Sequence, residues 1–283
     1  MRIDLHAHSD VSDGTRPPAE VVRRAKAAGL DVLALTDHDT VAGWGAAAAA
    51  LPSGLTLAPG VELSCEQDGE SLHMLGYLFD PDEPVLAAEL ARIRDGRVDR
   101  ARLMVDRLRE LGVDVTWDGV RSLARGEAVG RPHIARAMVE AGAVRTVDAA
   151  FTKEWIASGG RAHAGRYAPD PVRAVRLVRA AGGACVLAHP RARRRGHLVP
   201  DEVIERLAAA GLTGVEVDHP DHAPDDRARL AALADRLGLV RTGSSDDHGE
   251  PTGDRLGAET TAPAAYAALR AAATGAVPVT GGA

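Results

Sequence analysis

The chain of 283 residues is poor in several things at once: aromatics make up 3% of it, lysine occurs only at Lys26 and Lys153, and cysteine only at Cys65 and Cys185. Each scarcity excludes something. Few stacking rings and a formal charge of −6 leave little with which to hold a long nucleic acid, where basic grooves and base stacking carry the affinity. Two cysteines far apart, each in or beside an apolar run, make no disulfide framework and point to a reducing compartment. No apolar run approaches the roughly 20 residues that span a bilayer. The opening MRIDLHAHSD has neither the basic end nor the apolar stretch of a secretion signal. A cytoplasmic protein without membrane contact or an obligate protein partner is expected.

What is present is a folded composition, 45% hydrophobic and 26% charged, long enough to bury a large core. The basic residues are almost all arginine, whose planar fork grips phosphate at two points. A small anionic ligand stays open where a long polyanion does not.

Short apolar runs alternate with helical stretches, the pattern of an α/β fold with mostly parallel strands. Strands are predicted over residues 2–5, 32–35, 55–63, 71–78, 184–187, 214–217 and 239–242. Helices are predicted over 18–28, 41–51, 171–181, 202–210 and 225–237. A turn through Asp68 and Gly69 joins 55–63 to 71–78. Between the strand 71–78 and the helix 171–181, residues 85–111, 131–141 and 147–156 read as helix with little strand signal. The expected organisation is one α/β domain, 1–84 with 159–283, carrying a small helical insertion over 85–158.

Histidines and carboxylates stand where these runs end. His6 and His8 follow the first strand two residues apart, so both rings leave the same side, and Asp13 follows in the loop. His38 follows the second run, Glu62 ends the third, His189 follows 184–188, and Asp246 with His248 follow 239–244. In a parallel barrel the C-terminal strand ends share one face, where active sites are built. His73 lies near the start of its strand and reaches that rim if the strand runs back antiparallel. Any one of these imidazoles alone reads best as a hydrogen-bonded structural histidine; as a set they read as a site. These nine nitrogen and oxygen donors suit hard or borderline ions such as Mn, Fe or Zn, and are too many for one ion. Two or three ions fit hydrolysis of a phosphate ester, by activating water and neutralising the phosphoryl oxygens.

The segments DLHAHSDVSDGT, LALTDHDT, PGVELS, VLAHP and GSSDDHG, in that order, resemble the motifs of the PHP (polymerase and histidinol phosphatase) family. The resemblance covers nearly all the chain outside the insertion and implies a distorted (β/α)7 barrel with a trinuclear site. It would place one ion on His6, His8, Glu62 and Asp246, a second on Glu62, His73 and His189, and a third on Asp13, His38 and His248. The insertion is similar to that of the branch containing 3′,5′-nucleoside bisphosphate phosphatases and 5′→3′ exoribonucleases. Arg94 and Arg97 share a helix face at i and i+3, and Gly130 and Arg131 open a later helix, whose N-terminus favours an anion. The resemblance implies that these arginines hold the 5′-phosphate of a pAp-like nucleotide while its 3′-phosphate is removed.

Weaker candidates complete the reading. Asp37 either orients His38 or caps a turn. His219 and His222 follow the strand at 214–217 and either serve the substrate or stabilise a loop. Arg191, Arg193, Arg194 and Arg195 add positive charge past His189, and Trp44, Trp117 and Trp155 are assigned to packing. The rival substrates are short 5′-phosphorylated RNA and histidinol phosphate. An amidohydrolase bridged by a carboxylated lysine has no candidate, since neither lysine falls at a predicted strand end, and the complete ligand set argues against a non-catalytic accessory module.

Overall fold

In a computed structural model of the chain, the described residues are 1–124, 126, 128–193 and 198–282. The strands are β1 (Ile3–Asp4), β2 (Val32–Leu35), β3 (Thr56–Gln67), β4 (Glu70–Tyr77), β5 (Ala184–Leu187), β6 (Gly214–Asp218), β7 (Val240–Gly243) and β8 (Val279–Thr280). They form one sheet in the order β1-β2-β3-β4-β5-β6-β7, with β8 pairing the start of β3. Every contact along this path is parallel except those of β4, which runs antiparallel to both β3 and β5. The sheet curls back on itself: Ala7 bridges Asp247, and the N–H groups of His8 and Asp246 donate to Asp247 O and His6 O at 2.9 Å. This is the expected distorted seven-stranded barrel, with β4 its distortion.

Helices α1 (Pro18–Ala27), α2 (Trp44–Ala49), α7 (Pro171–Ala180), α8 (Asp201–Ala209), α9 (Pro224–Leu237) and α10 (Pro263–Ala272) accompany the strands. Most begin with proline at the first turn, where its missing N–H costs nothing. Between β4 and α7 the chain is helical: α3 (Pro84–Glu110), α4 (Trp117–Leu123), α5 (Arg131–Glu140) and α6 (Val147–Ala150). These helices have an apolar cluster of their own, in which Met104, Val105, Leu108, Val120, Ile134 and Met138 are buried together with Ile156 and Ala162.

Several boundaries differ from expectation. Helix α2 is shorter at both ends than 41–51, and α6 is a single turn, because residues 151–160 fold into successive turns instead of continuing the helix. Helix α4 escaped notice because it is seven residues long with Gly119 in its interior; Thr116 caps it by accepting from Gly119 N. Helix α10 is mostly alanine with only Tyr266 and Leu269 buried, too thin a stripe to read as periodicity. No helix among the described residues is long and apolar enough to cross a membrane.

Candidate active site

The barrel delivers its polar residues to one rim. His6 and His8 leave the end of β1 with their Nε2 atoms 3.1 Å apart. The loop from Ser9 to Gly14 then folds tightly, because Asp37 accepts from Ser9 N at 2.7 Å, Ser9 Oγ at 2.6 Å and Ser12 Oγ at 2.7 Å. Asp37 is therefore the turn brace and not the orienter of His38. Gly14 closes the loop where a Cβ would meet His8 O at 2.8 Å, which brings Asp13 back over His8. The antiparallel β3–β4 pairing sets His73 opposite Ser64, diagonal to Glu62 on the same face. The return of the fourth strand thus carries His73 to the rim.

Glu62 is the centre of the arrangement. Its Oε1 lies 2.8 Å from His73 Nδ1 and 3.0 Å from His189 Nε2, and its Oε2 lies 3.2, 3.1 and 3.2 Å from His6 Nε2, His8 Nε2 and His38 Nδ1. Asp246 Oδ1 is 3.3 Å from both His6 Nε2 and His8 Nε2 and 3.5 Å from His248 Nδ1. Asp13 approaches His248 Nε2 at 3.3 Å and His38 Nε2 at 3.7 Å. All nine candidates of the sequence meet here, His73 and His248 partly exposed at the mouth and the rest buried.

The donor set fits metal ions better than it fits hydrogen bonding. Glu62 Oε2 and His38 Nδ1 are buried without a hydrogen bond, although they lie close together. The two imidazole nitrogens 3.1 Å apart converge with Glu62 Oε2 and Asp246 Oδ1 on one point, as ligands of a shared cation do. Three groups of donor atoms each fall within 4.8 Å: His8, Asp13, His38 and His248; His6, His8, Glu62 and Asp246; and His38, Glu62 and His73. Electrostatics agree. Burial alone would raise the Glu62 and Asp13 carboxyls, but the surrounding histidines hold both well below the usual range, ionised. Burial pushes the His8 imidazolium down, and Asp246 and Glu62 more than reverse it, lifting its pKa to about 10. That field of negative charge favours a cation.

A second charged group adjoins the first. The predicted arginine pair on α3 is not a free surface face: Arg97 is buried, with Nε donating to Asp39 Oδ2 at 2.5 Å and a second nitrogen to Ser64 Oγ, while Arg94 donates to Asp39 O at 2.8 Å. Asp39 follows His38 directly, so these arginines are tied to the residue next to a candidate ligand. Arg131 begins α5, half-buried, 5.7 Å over the Phe151 ring. The Gly130 N–H donates to His133 Nδ1 at 3.0 Å, so Gly130 serves the helix cap and its amide is not free for an anion. Two arginines were missed. Arg100 continues the i+3 step from Arg97, a signal that was available; Arg166 lies in an irregular segment and had none. Burial, then the repulsion of neighbouring guanidiniums, depresses Arg100 and brings Arg166 down to about 10; burial and Arg97 also depress Arg131.

The other candidates separate. His219 is buried with Nε2 3.4 Å from Asp246 Oδ2; Asp221 N donates to its Nδ1, which leaves the proton on Nε2, facing the carboxylate. His222 spends both nitrogens on backbone, donating to Val217 O and accepting from Arg191 N, so it ties two loops and has no nitrogen left for substrate. Arg191 pairs with Asp201 and Arg193 with Asp226; Arg194 and Arg195 lie outside the described residues. Trp44 packs on Phe79, and Trp117 and Trp155 against the cluster of the helical segment. Glu216, buried beside His6, also went unread, because the run at 214–217 looks apolar around it.

Comparison with known proteins follows the same lines. The PHP domain is matched over residues 4–112. A 3′,5′-nucleoside bisphosphate phosphatase of Chromobacterium violaceum is 39% identical over 255 residues, 89% of each chain. A 5′-3′ exoribonuclease of Haemophilus influenzae is 37% identical over 87% of this chain and 90% of its own. A solved structure described as a metal-dependent phosphoesterase from Bifidobacterium adolescentis superposes with a TM-score of 0.89 over 96% of both chains, at 33% identity.

Proposed function

Because the chain belongs to the PHP family of metal-dependent phosphoesterases, hydrolases of phosphate esters, we propose that its substrate is a 3′,5′-nucleoside bisphosphate of the pAp kind. Removal of the 3′-phosphate would leave the nucleoside 5′-monophosphate and phosphate. The observation that carries this reading is the joining, through Asp39, of a metal-seeking group that would present cations to one phosphate and an arginine group that attracts the other. On one side stand the histidines and carboxylates around Glu62, on the other the guanidiniums of Arg97, Arg100, Arg131 and Arg166. A ligand with two phosphates on one sugar can answer both.

His6, His8, Glu62 and Asp246 would hold one ion, Glu62, His73 and His189 a second, and Asp13, His38 and His248 a third, the ions being Mn, with Fe or Zn as alternatives that the imidazoles also suit. Divalent ions bound there supply an activated water and neutralise the phosphoryl oxygens. The chain does the rest. The arginines fix the 5′-phosphate and so orient the sugar and its 3′-ester, with the helical segment 85–158 acting as a cap that supplies most of them. His219 holds Asp246 through its Nε2–H. Burial of the site keeps stray water away and strengthens each charge.

The second reading, trimming of short 5′-phosphorylated RNA, is favoured by the exoribonuclease relative. A formal charge of −6 and 3% aromatics favour the mononucleotide. Mn-loaded protein should release phosphate from pAp faster than it cleaves 5′-phosphorylated di- to pentaribonucleotides or histidinol phosphate. Faster turnover of the oligoribonucleotides overturns the preferred substrate. Arg97→Ala and Arg131→Ala should raise KM while metal content stays; unchanged kinetics in both would remove the arginines from phosphate binding.

A further inference from the structure

Glu216 is not among the nine donors and has no part in the reading above. It is wholly buried near the end of β6, and donors from three other strand ends converge on its carboxylate. The Nδ1–H of His6 donates to Oε1 at 3.2 Å, the Ser244 hydroxyl donates to the same oxygen, and the main-chain N–H of His189 donates to Oε2 at 2.7 Å. Two of these three groups belong to candidate metal ligands on opposite sides of Glu62.

Each bond has a consequence for its ligand. A proton held on His6 Nδ1 leaves the lone pair on Nε2. That atom stands 3.1 Å from His8 Nε2, 3.2 Å from Glu62 Oε2 and 3.3 Å from Asp246 Oδ1. His189 has a φ of +27°, a conformation that is costly for any residue but glycine. Its N–H is anchored by Glu216 at that turn, and the turn directs the ring so that Nε2 meets Glu62 Oε1 at 3.0 Å. We propose that Glu216 is a positioning residue of the metal centre, one carboxylate that sets the tautomer of His6 and the turn presenting His189, and so governs ion binding on both sides of Glu62.

Only a carboxylate satisfies this geometry. The three groups all donate, and a carboxylate offers acceptors on both oxygens. An amide has one acceptor and one donor. If its oxygen faces His6 and Ser244, its NH2 meets the His189 N–H. If it is turned over, the NH2 meets His6 Nδ1, which then becomes an acceptor and moves the ring proton to Nε2, toward the ions. In either orientation one ligand is spoiled while the size of the side chain is kept.

The proposal rests on the metal dependence of the family and not on the substrate, so faster turnover of RNA than of pAp leaves it untouched. The test titrates metal-free parent and Glu216→Gln with Mn(II) by calorimetry and measures the kinetics of both. The variant should melt cooperatively with the circular dichroism of the parent, bind Mn about 10- to 100-fold more weakly, and lose kcat with little change in KM. Excess Mn should restore part of the kcat. Unchanged Mn affinity in the folded variant overturns the proposal. If the variant does not fold, long-range 1H–15N spectra of the Zn-loaded parent, labelled at histidine, decide instead: His6 should carry its proton on Nδ1, and metal on Nδ1 with the proton on Nε2 overturns it.

Discussion

Single residues here carry more than one bond each, and substitutions should reveal it. His8 belongs to two of the three donor groups. His8→Ala should therefore lose bound metal and lower turnover by more than ~100-fold, since even residues behind the ligands are worth 10- to 100-fold. Metal analysis after dialysis, together with phosphate release, checks this. His133 gives a separate prediction for stability. Burial is the main cause that depresses its pKa to about 4, while in the unfolded chain it titrates near 6.5. Between those values the unfolded chain binds a proton that the folded chain refuses. Its contribution is complete above pH ~6.5 and is lost as pH falls toward 4, by up to ~3 kcal/mol. Urea denaturation of metal-free parent and His133→Asn across pH 4–7 should show a shallower fall in the variant; parallel curves would refute it.

Secondary elements were legible in proportion to their local pattern. Helices α1, α7, α8 and α9, with proline entries and strong apolar stripes, were anticipated to within a residue or two, as were β2, β5 and β6. Helix α10 and strand β8 were not, because an alanine-rich helix and a two-residue strand are decided by what they pack against. Helix α3 joins two roles. Its inward apolar residues anchor the cluster of the helical segment, while Arg94 and Arg97 reach the loop beside His38. Leu108, fully buried in that cluster, is a test of the first role. Leu108→Ala should cost roughly 2–5 kcal/mol in urea denaturation and leave metal content unchanged. Loss of metal from the folded variant would show that the cluster also supports the centre.

At the scale of the molecule the acidic balance changes meaning once ions are counted. A formal charge of −6 describes the polypeptide alone, and three divalent ions would cancel it, leaving a positive mouth in an otherwise acidic body. Binding of ions only to the folded state must also stabilise it. At 100 times the dissociation constant each independent site is worth ~2.7 kcal/mol, so the midpoint of thermal unfolding should rise clearly from EDTA to saturating Mn. An unchanged midpoint would mean that the cluster does not bind Mn.

The division between sequence and tertiary structure follows from the range of the interactions. Nine donor residues at the ends of apolar runs, an α/β alternation and a helical interlude are local patterns, and together with the resemblance to the PHP motifs they were enough to anticipate the barrel and a set of candidate ligands at its rim. The sequence could not say which strand ends meet. That Asp39 joins Arg97 to Ser64, that Arg166 arrives from an irregular segment, that Glu216 receives His6 and His189, and that the second nitrogen of His222 is taken by Arg191 N all depend on contacts across tens to hundreds of residues. A hydrogen bond has no periodicity along the chain to announce it; only closure of the barrel brings its two halves within reach.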